Sequence, residues 1–200
     1  HRQVLVCAVG RSAGKRQPAD AVRHAQFQVH AGRHAGAGNR QKEIAQFYCE
    51  LAQDELVHGL PEKALTMLDS AITADRNNVR ASILTGDVYL KQGDPEKALL
   101  AWRKVEQQSV PHVALVAQRL MDTYRQLGRP REGLDLLCSY LEQASSVDLL
   151  EIAYKAAQEL GEQVKATQMV KDELKRTPTL LGLDKLLDVR LLEAPVEVRP

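Results

Sequence analysis

From Lys42 onward, small and bulky apolar residues recur at the intervals expected of paired helices. Counting from Gly86, the residues Tyr89, Gly93, Ala98, Trp102 and Val105 stand at offsets of 3, 7, 12, 16 and 19. Steps of three and four keep side chains on one helical face, and the glycine between the two groups divides one face from the next. The pattern predicts helices over 42–58, 61–75, 79–92, 95–108, 113–127, 130–144, 147–160 and 162–176, with a ninth over 180–193. Residues 1–41 sustain neither the helical nor the strand period.

The helical part repeats itself. Pro61-Glu62-Lys63-Ala64-Leu65 returns letter for letter as Pro95-Glu96-Lys97-Ala98-Leu99, a shift of 34 residues. The same register carries Gly59 to Gly93, Gly128 and Gly161, at intervals of 34, 35 and 33. Glycine takes the left-handed cap that ends a helix, and Pro61, Pro95 and Pro130 suit the first position of the next one. Asp94 is placed to accept a backbone N–H at the helix start, with Glu96 against the positive end.

This spacing resembles the tetratricopeptide repeat, in which a small residue, an aromatic, a turn glycine and a second small residue follow in order. The second repeat matches well. The first has Glu55 at the aromatic place, the third has Gly133 at the second small place, and the fourth keeps Gly161, Ala166, Val170 and Pro178. The resemblance implies an all-α fold of about four and a half helix-turn-helix repeats over 42–194, stacked as a right-handed superhelical solenoid. The leucine-rich helix over 180–193 has no partner helix, so residues 195–200 read as a cut end and the chain as a piece of a longer protein.

Composition separates the two parts. Residues 1–41 hold seven Lys/Arg and one acid, Asp20, whereas residues 42–200 hold 20 Lys/Arg and 25 Asp/Glu. The Gly/Ala/His-rich stretch up to the boundary near Gln41 reads as a poorly ordered tail or as inauthentic sequence, the alternative being a phosphate-attracting basic arm. Its His24, His30 and His34 lack the carboxylates or thiols of a metal site. Three cysteines, Cys7, Cys49 and Cys138, without a C-x-x-C pair, build no disulfide framework. No apolar run approaches the length of a membrane span.

A more distinctive resemblance lies in Glu43-Ile44-Ala45-Gln46-Phe47-Tyr48-Cys49-Glu50-Leu51-Ala52, followed in order by Ala74-Asp75-Arg76-Asn77, Val79-Arg80-Ala81-Ser82-Ile83, Tyr124-Arg125-Gln126-Leu127-Gly128 and Thr177-Pro178-Thr179. Over about 42 to 193 the chain resembles the lipopolysaccharide assembly protein B family of Gram-negative bacteria. The resemblance implies a cytoplasm-facing adaptor at the inner membrane. It also implies promotion of the proteolysis of the committed-step deacetylase of lipid A synthesis by a membrane AAA protease. The family's membrane anchor and its rubredoxin-like zinc or iron domain have no counterpart in these residues, so no cofactor is expected here. An appendage of a larger enzyme, such as a glycosyltransferase, and direct capture of lipopolysaccharide are the alternative readings.

In stacked helix pairs the first helix of each repeat lines the groove. The contact positions fall on Gln46, Cys49 and Gln53; on Arg80, Ile83, Asp87 and Lys91; on Gln118, Asp122 and Arg125; and on Asp148, Glu151, Lys155 and Gln158. Their mixed sign suits a protein partner and disfavours nucleic acid, which would call for many cations and few carboxylates. Ile83 and Asp87 occupy places where a clamp for a terminal carboxylate needs donors. No nucleophile stands with a His in sequence, so non-catalytic binding is expected. Cys49 also reads as a small buried group beside Phe47 and Tyr48, and His58 and His112 as helix-end residues.

Overall fold

The computed structural model describes residues 37–178 together with Leu180, Leu183 and Asp184. Eight α-helices follow in order: α1 (Ala37–Val57), α2 (Pro61–Ala74), α3 (Val79–Lys91), α4 (Pro95–Gln108), α5 (Ala114–Gln126), α6 (Pro130–Gln143), α7 (Val147–Glu159) and α8 (Gln163–Arg176). A 3-10 turn, Val110–Val113, precedes α5. No strand occurs among the described residues, and the chain is an all-α tetratricopeptide solenoid. Of the expected ninth helix, Leu180, Leu183 and Asp184 are helical and the rest of 180–193 lies outside the described residues.

Helix α1 is described from Ala37, four residues ahead of the boundary expected near Gln41. Of the tail expected over 1–41, residues 1–36, with Cys7 and the three-histidine group, lie outside the described residues.

Each hairpin turns on a glycine in the left-handed region, with φ of 72°, 81°, 71° and 72° at Gly59, Gly93, Gly128 and Gly161. The residue after it donates back across the helix end: Leu60 to Glu55 O at 2.9 Å, Asp94 to Tyr89 O at 2.9 Å, Arg129 to Tyr124 O at 2.9 Å and Glu162 to Ala157 O at 2.8 Å. These bonds satisfy carbonyls that the helix leaves over. Gly93→Ala is therefore expected to lower stability by about 1 kcal/mol, from the Cβ penalty of a left-handed backbone. Chemical denaturation checks this, and an unchanged midpoint would contradict the cap.

Asp94 caps α4 by accepting from Lys97 N at 3.1 Å. Hydrogen bonds from the Lys97 side chain and backbone hold its carboxyl below the ordinary value. Leu60 and Arg129, at the matching positions before Pro61 and Pro130, give no side-chain cap.

The buried residues fall into two clusters. In the first, Ala45, Cys49 and Ala52 of α1 meet Ala64, Leu68 and Ala71 of α2, with Ala81 and Val88 of α3. The second runs from Ala98 to Val170 and holds the large side chains, among them Trp102, Leu120, Met121, Leu137, Tyr140 and Tyr154. Small faces let α1 and α2 approach closely, as do α3 and α4, while the bulkier third and fourth hairpins stand further apart. The helix α3 joins the clusters, since Val79, Ile83, Tyr89 and Leu90 pack on the second.

Departures in the repeat find their reason here. A Cβ on Gly133 would lie 2.9 Å from Tyr124 Cβ and 3.1 Å from Met121 Sδ, so glycine stands where two bulky neighbours leave no room for the usual alanine. The helix α1 packs on α3 and α5 on α7, whereas even-numbered helices approach one another less closely. The odd-numbered helices thus make the inner layer, closely packed between α1 and α3 and between α5 and α7.

Candidate partner-binding groove

The inner layer carries a ladder of polar contacts between successive repeats. Arg80, at the start of α3, reaches back onto α1, donating through Nη1 to Gln46 Oε1 at 3.1 Å and Glu50 Oε1 at 2.6 Å, and through Nη2 to Gln53 Oε1 at 2.6 Å. Asp87 of α3 pairs with Arg119 Nε of α5 at 3.0 Å. Arg125 joins Asp122 on its own helix at 2.7 Å and Glu159 of α7 at 2.5 Å, and Gln118 donates to Asp122 at 2.9 Å. On α7, Lys155 pairs with Glu151 at 2.8 Å.

Half of the fourteen expected contact residues are open to solvent. Gln46, Gln53, Lys91, Gln118, Asp122, Asp148 and Lys155 are exposed, while Arg80, Asp87, Arg125, Glu151 and Gln158 are half-buried. Ile83 is half-buried against the core, and its carbonyl accepts from Trp102 Nε1 at 3.1 Å. The structure gathers Gln46, Gln53 and Arg80 into one cluster and Gln118, Asp122 and Arg125 into another.

Cys49 is a correction. It is fully buried between α1 and α2 and does not line the groove; its thiol donates to Asn78 Oδ1 at 3.8 Å, the same oxygen that caps α3 by accepting from Ala81 N at 2.9 Å. The cause is the tight alanine-lined hairpin, which draws this position inward. Burial pushes the thiol up to about 11, with Arg80 acting the other way. Because the thiolate is the reactive form, maleimide at neutral pH is expected to leave Cys49 unmodified in the folded chain and to label it on unfolding. Mass spectrometry checks this, and equal labelling of native and unfolded chains would contradict the burial.

Sequence reasoning missed Glu50, Arg119, Glu159 and Leu115. A signal existed for part of this: Arg125 and Glu159, like Gln46 and Arg80, are 34 residues apart, one repeat. Leu115 was hidden by the 3-10 turn, which lies in the second interval, the one of 35 residues, and shifts the register.

The helix-end histidines act as local caps, His58 Nδ1 lying 2.7 Å from Asp54 O and His112 Nδ1 lying 2.7 Å from Ser109 Oγ. Among the described residues, no group of three or more His, Cys, Asp or Glu is placed to hold a metal ion. None of the described helices is long and apolar enough to cross a membrane.

No family model matches the chain. It is 31% identical over 160 residues to lipopolysaccharide assembly protein B of Escherichia coli K12, a match covering 80% of this chain and 41% of that protein. The proteins of the same name from strains CFT073 and O157:H7 match to the same extent. The chain thus spans about two fifths of the length of these relatives. Among solved structures, MamA of Desulfovibrio magneticus matches with a TM-score of 0.47 at 17% identity over 75% of this chain and 85% of that one. PilF of Pseudomonas aeruginosa matches with a TM-score of 0.48 at 17% identity over 76% and 70%. With its glycine-capped hairpins and its inner layer of odd-numbered helices, the chain is a tetratricopeptide-repeat protein similar to lipopolysaccharide assembly protein B.

Proposed function

We propose that the chain is a protein-binding adaptor in the control of lipopolysaccharide synthesis, acting at the cytoplasmic side of the inner membrane. Its inner face holds the deacetylase that commits material to lipid A, and presents it to a membrane AAA protease. Binding two proteins on one scaffold raises their effective concentration without any bond-making chemistry in the scaffold itself. The observation that carries this reading is the run of solvent-open polar side chains on α1, α3, α5 and α7, at positions that hairpin packing does not require, in an array similar to lipopolysaccharide assembly protein B.

The test measures binding of the immobilised chain to the purified deacetylase and protease. The variant to compare carries Lys91→Glu, Gln118→Arg and Asp148→Asn, all at exposed positions. Arg80 and Asp87 stay intact, since they tie neighbouring repeats together. Binding that the triple variant weakens is the expected result. Failure of both proteins to bind would remove the adaptor reading.

A further inference from the structure

The inner helices are not equally close to one another. Helix α1 lies against α3 and α5 against α7, whereas α3 and α5 stand further apart. The two tight seams also carry polar ties that span a repeat: Arg80 holds Gln46, Glu50 and Gln53 of α1, and Arg125 holds Glu159 of α7. Between α3 and α5, a single ion pair crosses among the described residues, Asp87 with Arg119 Nε at 3.0 Å.

The outer side of the same junction is the reverse. Leu99, Trp102 and Val105 of α4 share one buried cluster with Val113, Val116 and Ala117, and α4 packs on both the 3-10 turn and α5. The connection between the hairpins is also the longest of its kind: five residues, 109–113, join α4 to α5, against four, 75–78, from α2 to α3 and three, 144–146, from α6 to α7. It begins with Ser109 in an extended conformation and continues as the 3-10 turn Val110–Val113. A junction packed along its outer edge and open along its inner edge bends about the packed edge, and the backbone change falls on the short connection.

We propose that the array is hinged between its second and third hairpins, with the contact of α4 on the 3-10 turn as the fulcrum and the Asp87–Arg119 pair as the latch that sets the width of the inner wall. The two side chains are 29% and 44% exposed, so salt ions reach both. Arg119 Nη1 also donates to Leu115 O of its own helix at 2.8 Å, so the guanidinium stays on α5 when Asp87 lets go. An exposed pair biases such an equilibrium by roughly two- to fivefold, and less as salt screens it. The hinge goes beyond the adaptor reading and belongs to the chain by itself, whichever protein the groove takes.

Double electron–electron resonance between nitroxide-bearing amino acids tests it. Val57, Lys91 and Gln126 are exposed and end α1, α3 and α5, so labels at Lys91 and Gln126 report on the α3–α5 seam and labels at Val57 and Lys91 on the α1–α3 seam. Raising salt from about 0.05 to about 0.5 M is expected to enrich the longer Lys91–Gln126 distances by about two- to fivefold, with the Val57–Lys91 distances unchanged. Asp87→Ala is expected to give the same enrichment at low salt, and circular dichroism verifies that it keeps its helices. If it does not, the salt series on the chain with Asp87 in place decides. Lys91–Gln126 distances that neither salt nor Asp87→Ala moves overturn the hinge. Equal widening of both seams is a general loosening of the array and overturns it as well.

Discussion

Trp102→Ala is expected to lower the unfolding free energy by about 3–5 kcal/mol, the range for removing a large buried aromatic from a core. Trp102 is fully buried, and its indole N–H donates to Ile83 O at 3.1 Å. The ring lies directly on Gly86 of α3: a Cβ there would fall 2.5 Å from Trp102 Cδ1 and 2.6 Å from Cε2. Gly86→Ala alone overpacks the site and is expected to destabilise by about 1–3 kcal/mol. In a Trp102→Leu background the added methyl finds room, so the two substitutions couple by about 1 kcal/mol or more. Additive effects in the double-mutant cycle would show that ring and glycine do not touch. The pair also joins the two halves of the second hairpin, so its loss reaches the groove through α3, which carries Arg80, Ile83 and Asp87.

Glu173→Leu is expected to have the opposite sign, raising stability by about 1–4 kcal/mol, as replacement of buried ionic groups by apolar ones often does. The fourth repeat places Glu173 where the others have Ala71, Val105 and Tyr140, all fully or nearly fully buried. Glu173 is only 2% exposed. Its Oε1 accepts from Ser145 Oγ, its Oε2 has no hydrogen-bond partner, and the nearest cation, Arg176, stands 3.9 Å away. A desolvated oxygen without a donor is unfavourable, and leucine of similar size fills the space without it. Ser145 keeps Thr177 Oγ1 at 3.0 Å as a second partner. A lower denaturation midpoint for Glu173→Leu than for the parent would show that the Ser145 bond outweighs the burial of the carboxylate.

How far the sequence could be read follows from what each residue depends on. The hairpins were legible because Gly59, Gly93, Gly128 and Gly161 and the proline after three of them act locally, within one helix end. Trp102 was legible as a packing residue because its offset from Gly86 fits the helix-pair pattern. Cys49 was misassigned because position alone says which face a residue occupies, not how closely the facing helix approaches; Ala64 and Ala71 opposite it closed that distance. The ends were harder still. Helix α1 runs back to Ala37 through a glycine that propensity counts against, and Leu115 slipped out of register behind four residues of 3-10 turn. Of the groove, the positions could be named from the repeat, but their partners required knowing which helices stand side by side.

The alanine seam between α1 and α2 has a final consequence. Ala45, Ala52, Ala64 and Ala71 surrender almost no side-chain freedom on folding, yet they also remove little apolar surface from water. That hairpin is consequently a weak folding unit by itself and takes its order from α3, through Ala81, Val88 and the Arg80 grip. A substitution that damages α3 is therefore expected to loosen α1 and α2 as well.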